Sequence, residues 1–257
     1  MTKQDINRQK LEICETYFGY QGIDIEHFTG LVAGPRDKRV VHIPARSGST
    51  RIENKNVKEL CGVPLIAYTI AVARAMPVDR VIVNTDSPEI AAVAERLGAE
   101  VPFLRPVELS GDDVSPGFAG YYAERFLLSQ GYPLDIMIDM YPTSPFRNAA
   151  KLTRYTEDVA RSGYCATAFL PNMELGRVRS REGLLLGEEG TRCERGRVHF
   201  KLLASFLGRR LLSGQKRWFQ YELVDDPIEL VDIDTPEDFA LAEFIIENDL
   251  YEFGVAI

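Results

Sequence analysis

The sequence predicts an α/β fold of three layers, with helices on both sides of a mostly parallel sheet. Three observations carry that expectation. From Arg39 to Gly163, short apolar runs alternate with longer segments of helical period, and such alternation implies parallel strands joined by right-handed crossovers. A polar loop, Ala45 to Asn56, leaves the first apolar run at the end where open parallel sheets hold their ligands. The chain has 257 residues, 45% of them hydrophobic. A chain of that length buries about 70–75% of its unfolded surface without covalent or metal staples.

The elements follow in order. Residues 1–37 read as an N-terminal extension, with "INRQKLEICETYF" at loosely helical spacing and "AGPRDK" ending it. Residues 38–257 form the main domain. "RVVHIP" is a buried-type strand. "PLIAYTIAVARAM" (64–76) is a helix with Pro64 suited to its first turn. "DRVIVNT" (79–85) is a strand. "SPEIAAVAERLG" (87–98) is a helix capped by Ser87 and stopped by Gly98. "AEVPFL" (99–104) is a strand, 116–131 a helix, "LDIMIDM" (134–140) a strand and 148–163 a helix. Residues 164–230 change character, with many arginines and glycines between short apolar runs, and read as strands and loops added late to the sheet. "ELVDIDTPEDFALAEFIIEN" closes as a strand and then a helix, with Pro236, Glu237 and Asp238 in its first turn.

Composition removes several function classes. The formal net charge is −8, which argues against broad nucleic-acid binding. A basic loop in such a chain reads as a site for a small anion. Cys14, Cys61, Cys165 and Cys193 form no CxxC pair, and His27, His42 and His199 supply no zinc spacing. Reduced thiols fit a cytoplasmic protein. The polar opening "MTKQDINRQKLE" does not read as a signal peptide, and no apolar run approaches the roughly 18 residues of a membrane span.

The loop "IPARSGSTRIENKN" strings Arg46, Arg51, Lys55 and, just beyond, Lys58 through a segment that is not a regular helix. Ser47, Ser49 and Thr50 add hydroxyls, and Gly48 permits close backbone approach. Neither a Walker A loop nor GxGxxG is present. Two readings fit these residues: a socket for phosphate groups, or a solvated basic loop.

"IPARSGSTRIENKNVKELCGVPLIAYTIAVA" resembles the opening of the cytidylyltransferases that activate acidic sugars, the CMP–sialic acid synthetase-like enzymes and their relatives for legionaminic, pseudaminic and 3-deoxy-octulosonic acids. The likeness continues through "VDRVIVNTDSPEIAAVAERLGAEVPFLRPVELSGD", "YPTSPFR" (141–147) and "LVDIDTPEDFALAE" (230–243). The resemblance implies a Rossmann-like nucleotidyltransferase sheet. It implies CTP as substrate, an acidic sugar of nonulosonic type as acceptor and pyrophosphate as product. In the family the first motif wraps the triphosphate and the cytidine. That gives Ala45, Arg46, Ser47, Gly48, Ser49, Thr50, Arg51, Lys55 and Asn56 as nucleotide-binding candidates, with Arg46 and Lys55 also catalytic. Arg105, Tyr141, Thr143 and Ser144 match further nucleotide-side positions. Thr50 stands where many relatives have Lys; the octulosonic-acid branch is similar in having Ser-Thr-Arg. Tyr141 replaces a common Gln, as in the pseudaminic-acid branch.

The resemblance also implies magnesium held by an Asp-x-Asp pair, here Asp232 and Asp234 flanking Ile233. On a strand both carboxylates would project from one face. The alternative is that Asp234 caps the helix and Asp232 is solvated. Asp139 interrupts an apolar strand and needs a partner, either the metal or an arginine. The family further implies a homodimer, with 164–220 as the acceptor and dimerisation insert. The family's Arg-Arg-Gln-Asp-like motif is missing from 171–220. Arg177, Arg179, Arg195 and Arg197 fit two readings, partners for an acceptor carboxylate or surface charge, while His199 and Trp218 read as packing residues. Transfer of CMP to another acceptor, such as a phosphonate, and a non-catalytic nucleotide-binding protein remain open alternatives.

Overall fold

The computed structural model describes residues 36–111, 117–169, 201–211 and 220–257. The helix expected in 1–35, the arginines at 177, 179, 195 and 197, His199 and Trp218 lie outside them. The elements are β1 (Lys38–Pro44), a two-strand hairpin of β2 (Glu59–Leu60) and β3 (Val63–Pro64), α1 (Leu65–Arg74), β4 (Arg80–Asn84), α2 (Pro88–Arg96), α3 (Gly117–Ser129), β5 (Leu134–Asp139), α4 (Ala149–Ser162), β6 (Tyr164–Phe169), β7 (Lys201–Arg210), β8 (Gln220–Leu223) and α5 (Pro236–Glu247).

The main sheet has the order β4-β1-β5-β7-β6-β8. β1 pairs in parallel with β4 on one side and β5 on the other. The chain therefore reverses its direction of winding at β1, which opens a crevice beyond the carboxyl end of that strand. β7 runs antiparallel to both β5 and β6, and β8 is parallel to β6. The region read as late additions thus supplies half of the sheet.

β1 is buried on both faces, and its side chains alternate between two cores. Val41 and Ile43 pack with Ile66, Ile70, Ile136, Leu152 and Val159 under α1 and α4. Val40 packs with Ile82, Ala123, Leu127 and Met137 under α3. A third cluster joins α5 to the hairpin through Leu60, Tyr68, Phe146, Ile233 and Phe239. Ser87 caps α2, Asn148 caps α4, and Gly163 ends α4 at φ 83°, a left-handed conformation that favours glycine. Among the described residues no helix is long and apolar enough to cross a membrane.

Three local expectations are corrected. Residues 99–104 form no ladder strand, only single bridges at Glu100 and Leu104; Pro102, between them, has no N–H to give. Pro64 precedes α1 as its N-cap residue instead of opening the first turn. The segment before α5 is not a strand: apart from a local turn bond from Val231 N to the Ile228 carbonyl, its backbone bond to another part of the chain is Ile233 N to the Thr143 carbonyl at 2.7 Å. It crosses the loop that follows β5 and, among the described residues, pairs with no strand.

Candidate active site

The loop after β1 is built, not merely solvated. The Ala45 amide donates to the carbonyl of Asn84, the last residue of β4, at 3.0 Å. Asp86, two residues further on, accepts from the Ser47 amide at 2.9 Å and from its hydroxyl at 2.6 Å. Burial works to raise the Asp86 pKa, but these bonds and nearby Arg105 outweigh it and hold the carboxyl below its ordinary 3.8. Asn56 Nδ2 closes the loop on the carbonyl of Arg46 at 2.9 Å. The loop thereby turns Arg46, Thr50, Arg51 and Lys55 towards one cleft.

The segment before α5 forms the facing wall. Lys55 Nζ donates to the carbonyl of Ile233 at 2.7 Å and to Asp234 Oδ1 at 3.1 Å. Arg51 meets Asp234 Oδ2 at 3.0 Å. Partial burial works to raise the Asp234 pKa; the two cations prevail and keep it low. Thr235, not Asp234, caps α5. Asp238 completes that capping box and also accepts from the Asp234 amide at 3.1 Å, so it fixes the backbone that presents Asp234. Ile233 is buried between Asp232 and Asp234, as alternation requires, but Asp232 is exposed and is not part of the cleft wall.

The floor comes from the ends of β4 and β5. Arg105 is 7% exposed; it bonds the Ser110 hydroxyl at 3.1 Å and pairs with Asp86 at 3.7 Å. Among the described residues its Nη2 has no hydrogen-bond partner. Burial draws its pKa down, Asp86 opposes this, and the like charge of Arg46 adds to it. Tyr141 lies on the floor with its phenol pushed up to about 12 by burial and then by the Asp139 carboxylate. Arg147 anchors the loop from behind: its guanidinium donates to the carbonyls of Ser205 and Tyr141 and to the Thr69 hydroxyl.

The resulting cleft has a volume of about 330 Å³, at the small end of ligand sites. Arg46, Gly48, Ser49, Thr50, Arg51, Lys55, Asn56, Arg105, Tyr141, Thr143 and Asp234 line it. Ala45, Ser47 and Ser144 are not part of that lining. Ala45 and Ser144 are buried, with the Ser144 hydroxyl lacking a partner, and Ser47 is held by Asp86. Sequence reasoning missed Asp86 and the Leu109–Gly111 edge. Their signal was a Ser-Gly pair soon after Arg105 and a carboxylate opposite a serine-rich loop.

Of the two partners open to Asp139, the metal or an arginine, the structure supplies the arginine. Its Oδ1 lies 2.6 Å from His42 Nδ1 and its Oδ2 accepts from Arg209 at 2.6 Å. Both oxygens are engaged beneath the cleft, and the partner that its burial demanded is the arginine.

A family model described as cytidylyltransferase matches residues 40–186, the stretch holding the loop, Asp86, Arg105 and the β5 end. The chain belongs to the cytidylyltransferase family. Among relatives, it is 30% identical to a CMP-N,N'-diacetyllegionaminic acid synthase of Legionella pneumophila, over 80% of this chain and 94% of that one. It is 35% identical to a pseudaminic acid cytidylyltransferase of Campylobacter jejuni, over 51% of this chain and 59% of that one. A solved CMP:2-keto-3-deoxy-manno-octonic acid synthetase in complex with CTP superposes with a TM-score of 0.60 at 15% identity, covering 83% of this chain and all of that one. That likeness shows the three-layer nucleotidyltransferase fold. The segment carrying Asp234 lies beyond the matched model, so this cytidylyltransferase-family cleft is closed by residues outside it.

Proposed function

We propose that this chain transfers CMP from CTP to an acidic sugar of nonulosonic type and releases pyrophosphate. The observation that carries the reading is convergence: Arg46, Arg51 and Lys55 from one part of the chain meet Asp234, nearly two hundred residues away, in a single cleft with Arg105. The relatives' names supply the nucleotide and the class of acceptor. Arg46, Arg51, Lys55 and Arg105 would share the charge of the triphosphate, which in phosphoryl-type transfers is most of the catalytic work. The acceptor hydroxyl attacks the α-phosphorus, its proton passes to solvent, and pyrophosphate leaves.

The donor set fits magnesium. This ion takes oxygen ligands and is usually held by one or two carboxylates with phosphate oxygens and water. Asp234, with a side chain 49% exposed on the cleft, would hold it, and Asp232 is the second candidate. Bound there, the ion would polarise the phosphate and lower the pKa of the acceptor hydroxyl. We read residues 38–257 as the transferase unit, acting as a cytoplasmic homodimer.

The test is pyrophosphate release from CTP with a panel of nonulosonic acids. Turnover is expected with at least one of them. Asp234→Ala should abolish it with the circular dichroism spectrum unchanged. Wild-type turnover in that variant would remove Asp234 from the reaction. CTP binding without release for any acid would indicate a binding protein.

A further inference from the structure

A buried hydrogen-bonded chain runs beneath the cleft from β7 to α3. Arg209 on β7 donates to Asp139, and Asp139 faces His42 Nδ1. On the far side of the ring, His42 Nε2 lies 3.0 Å from Asn84 Nδ2, which also donates to the carbonyl of Ala119 at 2.7 Å. The Asn84 amide nitrogen has two protons. With one on Ala119 and one towards His42, Nε2 must accept, and the imidazole proton sits on Nδ1 facing the carboxylate. Every link then has one direction.

The end of this chain is a piece of the cleft. Ala119 lies in the first turn of α3 and lines the wall. At the next residue, Gly120, a Cβ would stand 3.2 Å from Asp139 Oδ1, so the turn rests directly on the carboxylate. Arg209 also reaches Glu124 on the same helix at 3.2 Å. Later turns of α3 are held by apolar packing on Val40, Ile82 and Met137. Among the described residues Asn84 Oδ1 is itself left buried without a partner, a penalty the fold carries while its amide nitrogen is aimed at Ala119.

We propose that Asn84 is a positioning residue for the cleft. Oriented by His42 and Asp139, it fixes the Ala119 carbonyl and with it the α3 wall against which the nucleotide rests. The part concerning the nucleotide depends on the cleft being a CTP site; the docking of α3 does not.

The test is Asn84→Ala in the full chain, read by calorimetric CTP affinity, by amide hydrogen exchange of residues 117–123 and by ring nitrogen shifts of His42. Losing one buried hydrogen bond should weaken CTP binding by about fivefold. Exchange in the first turn of α3 should accelerate. The wild-type ring should carry its proton on Nδ1. CTP affinity and exchange both at wild-type values would overturn the proposal, as would a wild-type His42 protonated on Nε2. If Asn84→Ala does not fold, Gly120→Ala serves. Its Cβ would stand 3.2 Å from Asp139 Oδ1, so the turn or the carboxylate must give by a few tenths of an ångström; either shift disturbs the support of Ala119 and should produce the same two changes, and their absence overturns the proposal equally. If the wild-type protein binds no CTP, the functional reading fails, and the exchange rates alone decide whether Asn84 docks α3.

Discussion

Lys55→Met removes a side chain that ties the loop to the facing wall while keeping a stem of similar length. Lys55 Nζ makes two contacts, to the Ile233 carbonyl at 2.7 Å and to Asp234 at 3.1 Å. Its own side chain is 12% exposed, whereas Asp234 is 49% exposed. The ion pair is therefore discounted for solvent to about 0.5 kcal/mol. The charge-assisted bond to a carbonyl is worth about 1.5–3 kcal/mol. Together they predict a loss of roughly 2–3.5 kcal/mol, or a Tm lower by about 4–14 °C for a chain of this size. Loss of a charged contact to phosphate should separately raise the Kd for CTP by about 10- to 150-fold. Urea titration of the ligand-free protein measures the first quantity and calorimetry with CTP the second. A Lys55→Met protein with an unchanged urea midpoint would refute the bridging role, and an unchanged Kd would refute phosphate contact by Lys55.

Arg147→Met strips donors from the carbonyls of Ser205 and Tyr141 and from the Thr69 hydroxyl. It should cost at least about 3 kcal/mol in urea unfolding, because buried acceptors are left unpaired. Asp86 has a folded pKa below its ordinary 3.8, so its stabilising effect is complete above that value and is lost as pH falls through the lower folded pKa. Asp86→Asn should thus be less stable than wild type at neutral pH, with the gap closing in acid; a gap independent of pH would show that the Ser47 bonds do not need the charge. The Cys165 thiol, buried and pushed up to about 12, should resist iodoacetamide in the native protein. Exposed Cys61 should react, as peptide mapping would show.

Much of the fold was legible because β1, β4 and β5 are buried on both faces and so read as unbroken apolar runs. The helices carried their own punctuation in Ser87, Asn148, Gly163 and Thr235. The cationic loop was legible as a charge pattern. What the sequence hid was partnership across long separations. Nothing local says that Asp86 will hold Ser47, or that Asp139 will meet Arg209, seventy residues later. The expected strand before α5 failed for the same reason: its alternation was real, with Ile233 buried and Asp232 outside, but a strand also needs a neighbour. The late position of β7 between β5 and β6 was equally hidden, since its place in the sheet depends on a chain reversal that leaves no periodic trace.

The ligand-free arrangement of charge bears on how such a cleft could work. Asp234 is already neutralised by Lys55 and Arg51, whereas the charge of nearby Arg46 disfavours that of Arg105. The Arg51–Asp234 pair is cheap to break, with Arg51 62% exposed. On the proposed reading, a triphosphate would relieve the repulsion at Arg46 and Arg105 and compete for Arg51 and Lys55. Asp234 would then be left with an open carboxylate facing the cleft, held in place through its backbone by Asp238. The same residue can therefore steady the empty cleft and become available as an oxygen ligand only when the nucleotide is present. An Asp234 locked by two buried cations could not make that exchange, and its half-exposed position is the feature that permits it.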